Sequence, residues 1–185
     1  MAAHGPGRNG SHYDEKVART CSPRLRLYLP ARTYKSALQQ LSMTDDYFMA
    51  QALAEADNAF AADEIPIGAV VVFENQIIGR GYNQTERLRD VTAHAEMLAL
   101  TAAANYLGNK YLADCTLYVT IEPCVMCAGA SYWAQVKAVV FGADEPKVGF
   151  RRYGALLHPR TKLRGGVRAE ECAALMRRFF SLKRK

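Results

Sequence analysis

The chain is 185 residues long and 50% hydrophobic, one domain's worth of polypeptide with enough apolar side chain for a substantial core. No apolar run approaches the length of a transmembrane helix, residues 1–42 lack the continuous apolar stretch of a signal peptide, and five cysteines (Cys21, Cys115, Cys124, Cys127, Cys172) in no disulfide-framework spacing point to a reducing cytoplasm. Charge is unevenly spread: residues 1–42 hold 7 Lys/Arg against 2 Asp/Glu, residues 43–145 hold 5 against 14, and residues 146–185 hold 12 against 2. A basic end on an acidic body points to a polyanionic partner, with a solvated basic tail as the plain alternative.

Residues 1–42 mix Gly, Pro, Arg and Ser without a sustained period and are expected to be a disordered extension. They read as a vector leader, a start codon called too early or an Arg-rich targeting segment, with Met43 a sensible native start and residues 43–185 the functional domain. Thr44 or Ser42 is expected to cap a helix whose first turn holds Asp45 and Asp46. Phe48, Met49, Ala52, Leu53, Ala56 and Phe60 give it an apolar stripe at helical spacing. Residues 67–73 form a nearly continuous apolar strand, expected to be covered on both faces. Glu74 and Asn75 turn the chain, and residues 76–82 return as the second strand of a hairpin. A polar loop is expected over 83–91, a helix over 93–105 and a buried strand over 115–121. A helix over 124–134 and a short strand over 136–142 follow, then an irregular basic stretch over 149–166. A helix over 170–182 closes the chain with Ala173, Leu175, Met176 and Phe179 inward. Strands alternating with helices predict a layered α/β domain around a mixed sheet.

Chemistry concentrates at two points. Glu122-Pro123-Cys124-Val125-Met126-Cys127 directly follows the strand over 115–121, and Pro123 suits the first turn of a helix. Two cysteines three apart then share one face at the positive end of a helix, where thiolates are favoured, and make half of a metal site. Thr92-Ala93-His94-Ala95-Glu96 supplies the rest. Inside a regular helix His94 and Glu96 would diverge, whereas at a helix start both can meet one pocket. One imidazole and two thiolates leave a tetrahedral zinc with an open position for water, the mark of a catalytic rather than a structural site. Glu96 is then placed to take and return the water's proton. A redox reading of the cysteine pair would leave His94 and Glu96 without purpose.

These motifs, with Ile65-Pro66-Ile67-Gly68-Ala69-Val70, Gly81-Tyr82-Asn83 and Val139-Val140-Phe141-Gly142-Ala143, resemble the cytidine-deaminase-like superfamily. The wording Thr92-Ala93-His94-Ala95-Glu96-Met97 and Pro123-Cys124-Val125-Met126-Cys127-Ala128-Gly129-Ala130 is similar to its bacterial tRNA-specific adenosine deaminase branch. The resemblance covers residues 43–185. It implies a three-layer α/β/α fold with a mixed sheet of about five strands, a homodimer, and deamination of adenosine to inosine at the anticodon wobble position. It also implies one zinc held by His94, Cys124 and Cys127, with Glu96 as the proton shuttle and Asn83 bonding the flipped-out base. Arg177, Arg178, Phe179, Phe180 and Lys183 would contact the RNA. The 149–166 stretch departs from the family's version of this loop. By residue type alone Asn83 is a turn asparagine, Phe179 and Phe180 split between core and solvent, Tyr82 and Trp133 pack, and Cys115 and Cys172 are buried inert thiols. Competing readings are a deaminase of free guanine, cytosine or a nucleoside, and a catalytically silent zinc-bearing RNA-binding or dimer-partner subunit.

Overall fold

The computed structural model describes residues 44–184; the 1–42 extension lies outside the described residues. Thr44 caps α1 (Asp45–Ala61) by accepting a hydrogen bond from the Tyr47 N–H, with Asp45 and Asp46 in the first turn as expected. Phe48, Met49, Ala52, Ala56 and Ala59 are its buried face. β1 (Gly68–Phe73) and β2 (Gln76–Tyr82) form the expected hairpin, and Glu74 and Asn75 both take positive φ, at 47° and 62°. That left-handed pair is the turn whose twist matches a two-residue hairpin.

After β2 the chain makes a short helix, α2 (Thr85–Leu88), and then α3 (Ala95–Leu107). β3 (Thr116–Ile121), α4 (Val125–Trp133) and β4 (Ala138–Ala143) follow as a strand–helix–strand unit. A 3-10 turn (Phe150–Tyr153), β5 (Lys162–Arg164) and α5 (Ala169–Lys183) complete the described chain. The sheet runs β2-β1-β3-β4-β5, with β1 antiparallel to both neighbours and β3, β4 and β5 parallel.

Alternation along the strands divides the core in two. Ala69, Val71, Leu117, Val119, Val139 and Phe141 point to the side of α3 and its residues Ala95, Ala99 and Ala103. Val70, Val72, Tyr118 and Val140 point to the other side, against Phe48, Met49 and Ala52 of α1 and Cys172 of α5. The result is the expected three layers, helices on both faces of a mixed five-stranded sheet. On the α3 side contact is close at Gly79 and Gly81, where a Cβ would lie 2.3 Å from the Ala99 carbonyl oxygen and 2.4 Å from that of Ala95. The backbone of α3's first turn therefore rests directly on β2.

Four expectations needed correction. The 83–91 loop contains α2, whose N-cap residue Gln84 makes no side-chain cap; the capping carboxylate comes from Glu64, more than twenty residues earlier. The 149–166 stretch holds the 3-10 turn and β5, whose three exposed residues carry no strand pattern of their own and are ordered by pairing with β4. Pro123 stands before α4 rather than in its first turn, because Cys124 is the N-cap. Trp133 does not pack, being 77% exposed at the end of α4.

Candidate active site

His94 and Cys124 are the N-cap residues of α3 and α4, both in extended conformation (φ −71°, ψ 154° and φ −74°, ψ 174°). Neither side chain caps its own helix, so each is free to point across the gap between the two helix starts. The His94 Nδ1 lies 3.7 Å from Cys124 Sγ and 3.6 Å from Cys127 Sγ, and the three donor atoms all fall within 4.8 Å of one another. A tetrahedral zinc with Zn–S of about 2.3 Å and Zn–N of about 2.0 Å would hold nitrogen and sulfur about 3.5 Å apart. The donor set and its spacing thus fit one zinc ion. Electrostatics agrees with thiolate character at Cys124: the hydrogen bond from Cys127 pulls it down to about 4 against its burial, with His94 adding to the fall. The same bond, with burial, pushes Cys127 up. A bound divalent cation would hold both sulfurs as thiolates.

Glu96 sits one residue into α3, buried, beside Cys127. Burial raises its proton affinity above the ordinary carboxylate range, and the neighbouring Cys124 adds to the rise. Asn83, just past β2, is also buried. The next residue, Gln84, donates its N–H to the Ala93 carbonyl at 3.0 Å, which ties Asn83 to the segment entering His94. The Asn83 Nδ2 donates to Glu64 Oε2 at 3.0 Å and to Thr85 Oγ1 at 3.1 Å.

The sequence reading passed over Glu64 and Arg151. Glu64 is a buried carboxylate accepting from Asn83 and from the backbone N–H groups of Glu86 and Arg87. No local pattern marks it, because every partner is at least nineteen residues away. Glu122 accepts from the Arg151 guanidinium at 2.9 Å and from the backbone N–H groups of Glu145 and Arg151. The Phe150 N–H donates to the Pro123 carbonyl, so the divergent loop is pinned beside the cysteine motif. The lone acid before Pro123 was the available signal for such a basic partner.

The basic carboxy-terminal residues lie on α5. Phe179 is buried against Phe60, and Phe180 is 39% exposed, as helical spacing predicted. Arg178 stacks over Phe60, Arg177 pairs with Glu170, and Lys183 pairs with Asp63 at 2.6 Å. The Lys183 contact brings the end of α5 next to the residue preceding Glu64. Cys115 and Cys172 are buried free thiols, raised by burial to about 11. No described helix is long and apolar enough to cross a membrane.

The family described as cytidine and deoxycytidylate deaminase zinc-binding region matches residues 42–143, more than half of the chain and all three candidate metal ligands. The chain belongs to this family. Among deaminases, a tRNA-specific adenosine deaminase of Streptococcus pyogenes is 44% identical over 140 residues, spanning 72% of this chain and 88% of that protein. A chloroplastic tRNA(adenine(34)) deaminase of Arabidopsis thaliana is 42% identical over 161 residues, but the chain spans only 12% of its length. A deaminase structure from work on A-to-I editing by tRNA:A34 deaminases superposes with a TM-score of 0.65 at 39% identity, covering 70% of this chain and 98% of that one. The guanine deaminase of Nitrosomonas europaea superposes with a TM-score of 0.62 at 28% identity, covering 72% of this chain and 83% of that one.

Proposed function

We propose that the chain is a zinc-dependent hydrolase converting adenosine to inosine at the wobble position of a tRNA anticodon, with release of ammonia. The observation that carries this is the His94, Cys124 and Cys127 cluster with buried Glu96 beside it, in a chain closely similar to tRNA-specific adenosine deaminases. Bound there, zinc supplies Lewis acidity and brings the pKa of water toward neutrality. Glu96 would take a proton from the attacking water and deliver it to N1 of the purine as the C6–O bond forms. It would then take the proton of the new C6 hydroxyl and pass it to the exocyclic nitrogen, so that the C6–N bond breaks, C6 becomes a carbonyl and ammonia departs. A carboxyl with raised proton affinity suits both transfers, since it must hold a proton near neutral pH between them. Asn83 hydrogen-bonds the base once it is out of the stack.

The deaminase domain spans residues 43–185. Arg177, Arg178 and Lys183 contact phosphates, Phe180 offers an exposed ring, and buried Phe179 anchors them to α1. The enzyme works as a homodimer in the cytoplasm. Supporting the pairing is an exposed apolar groove between α3 and α4, lined by Met97, Leu100, Tyr111, Ala130 and Trp133. Sedimentation giving a monomer at micromolar concentration would overturn the dimer.

Incubating the zinc-loaded protein with an unmodified arginine tRNA bearing an A-C-G anticodon should give an A-to-G change on sequencing. The second reading, a deaminase of a free base, is favoured by the likeness to guanine deaminase. Ammonia release from guanine, with the tRNA unchanged, would establish it and sink the first.

A further inference from the structure

We infer that Glu64 is a positioning residue that fixes the Asn83 amide with its carbonyl oxygen toward the substrate, so that the pocket reads a hydrogen-bond donor at that point. The inference rests on the reading of Asn83 as a residue that touches the base. The donor is an N–H or O–H: the exocyclic amino group of the base or a ribose hydroxyl.

The assignment follows from hydrogen-bond inventory. A side-chain amide has one donating and one accepting end, and only its partners tell them apart. A carboxylate only accepts, so the atom facing Glu64 must be the amide nitrogen. Its two N–H groups are then both committed, to Glu64 Oε2 and to Thr85 Oγ1. No described residue donates to the Asn83 Oδ1. Among the described residues Ser131 Oγ is the one fully buried side-chain polar atom without a partner, so the unpaired Oδ1 opens to solvent rather than to the core.

Glu64 is suited to the task because it is buried and held by backbone donors. It is 1% exposed, its Oε1 accepts from the Arg87 N–H at 2.7 Å, and its Oε2 accepts from the Glu86 N–H at 3.3 Å. The start of α2 holds the carboxylate from one side and Asn83 meets it from the other. A charge behind the amide nitrogen also polarises the amide, making the outward oxygen a stronger acceptor.

A swap of the two side-chain types tests this. N83A should lower kcat/KM on tRNA, and E64Q should lower it roughly tenfold or more, since a glutamine no longer forbids the flipped amide. On the N83A background E64Q should cost less than about twofold further, because Glu64 acts through Asn83. N83D sets two carboxylates against each other and should be poor. The double variant E64Q/N83D should recover roughly tenfold over N83D, since the introduced glutamine amide can donate to the introduced aspartate and leave an oxygen outward. Adenosine-site RNA lacking a 2′-hydroxyl separates the two donors: if the ribose is the donor, that substrate should erase the E64Q effect, and if the amino group is, the effect should persist. Equal losses from E64Q on both backgrounds, or a double variant no better than N83D, would overturn the proposal. Full activity in N83A would instead overturn the reading of Asn83. Zinc content and melting temperature of each variant separate these results from misfolding.

Discussion

Glu96 and Glu122 are both buried, 3% and 5% exposed, at the two helix starts that hold the metal ligands, yet they hold protons in opposite ways. Burial and the nearby Cys124 raise Glu96, and the hydrogen bonds from its own backbone and from Cys127 do not offset them. Burial pushes Glu122 the same way, but hydrogen bonds from the Arg151 guanidinium and from the Arg151 and Glu145 backbone outweigh it and leave it lowered. Deeper burial with little compensation raises the one, while a guanidinium and backbone donors outweigh burial and keep the other charged. Glu96 is left available for chemistry, and Glu122 clamps the 144–153 segment to the cysteine motif.

Exchanging their roles by mutation should show the division. Glu96→Gln should cut turnover by about 10³-fold while leaving zinc content and melting temperature near wild type. Retained turnover in single-turnover assays would break the assignment. Glu122→Gln should do the reverse: a stability loss of about 2 kcal/mol in denaturant unfolding, with activity per zinc-loaded chain within a few fold of wild type. Because its folded pKa lies below the ordinary 4.5, the contribution of Glu122 is complete above that value and is lost as pH falls through the folded one. The stability gap between wild type and Glu122→Gln should therefore close in acid; a gap constant from pH 7 to pH 3 would refute the clamp.

A smaller effect concerns the sulfurs that face Glu96. After chelation, iodoacetamide at neutral pH should label Cys124, lowered to about 4, at least tenfold faster than Cys115 or Cys172, raised to about 11. Peptide mapping showing equal labelling would contradict the electrostatics of the cluster. The smallest effect is a control remote from both carboxylates. Tyr118→Phe loses only the hydrogen bond donated to Asp45, about 1 kcal/mol of stability, and should leave turnover untouched.

What was legible in the sequence was whatever depends on near neighbours. The Thr44 cap, the Glu74-Asn75 turn and the strand burial pattern are written in spacings of a few residues. So are the two halves of the metal cluster, since each lies within one helix start, and residue type dictates their chemistry. What was not legible depends on distant partners. α2 exists because Glu64 caps it, β5 because β4 offers an edge, and the 144–153 segment keeps its path because Arg151 reaches Glu122. Trp133 was misjudged because an aromatic at helical spacing is ordinarily core, and the helix face beyond α4 is open instead.

Gly81 has no reactive atom, yet its lack of a side chain sets how closely α3 can sit on β2. With α3's first turn seated on β2 and the Ala95 carbonyl 2.4 Å from where a Cβ would be, a methyl there acts as a wedge under the helix that carries both His94 and Glu96. Tilting that helix would draw the imidazole from the two sulfurs and shift the Glu96 carboxyl with it. Under the proposed function, metal retention and turnover would then fail as a single event, at a residue outside the metal cluster.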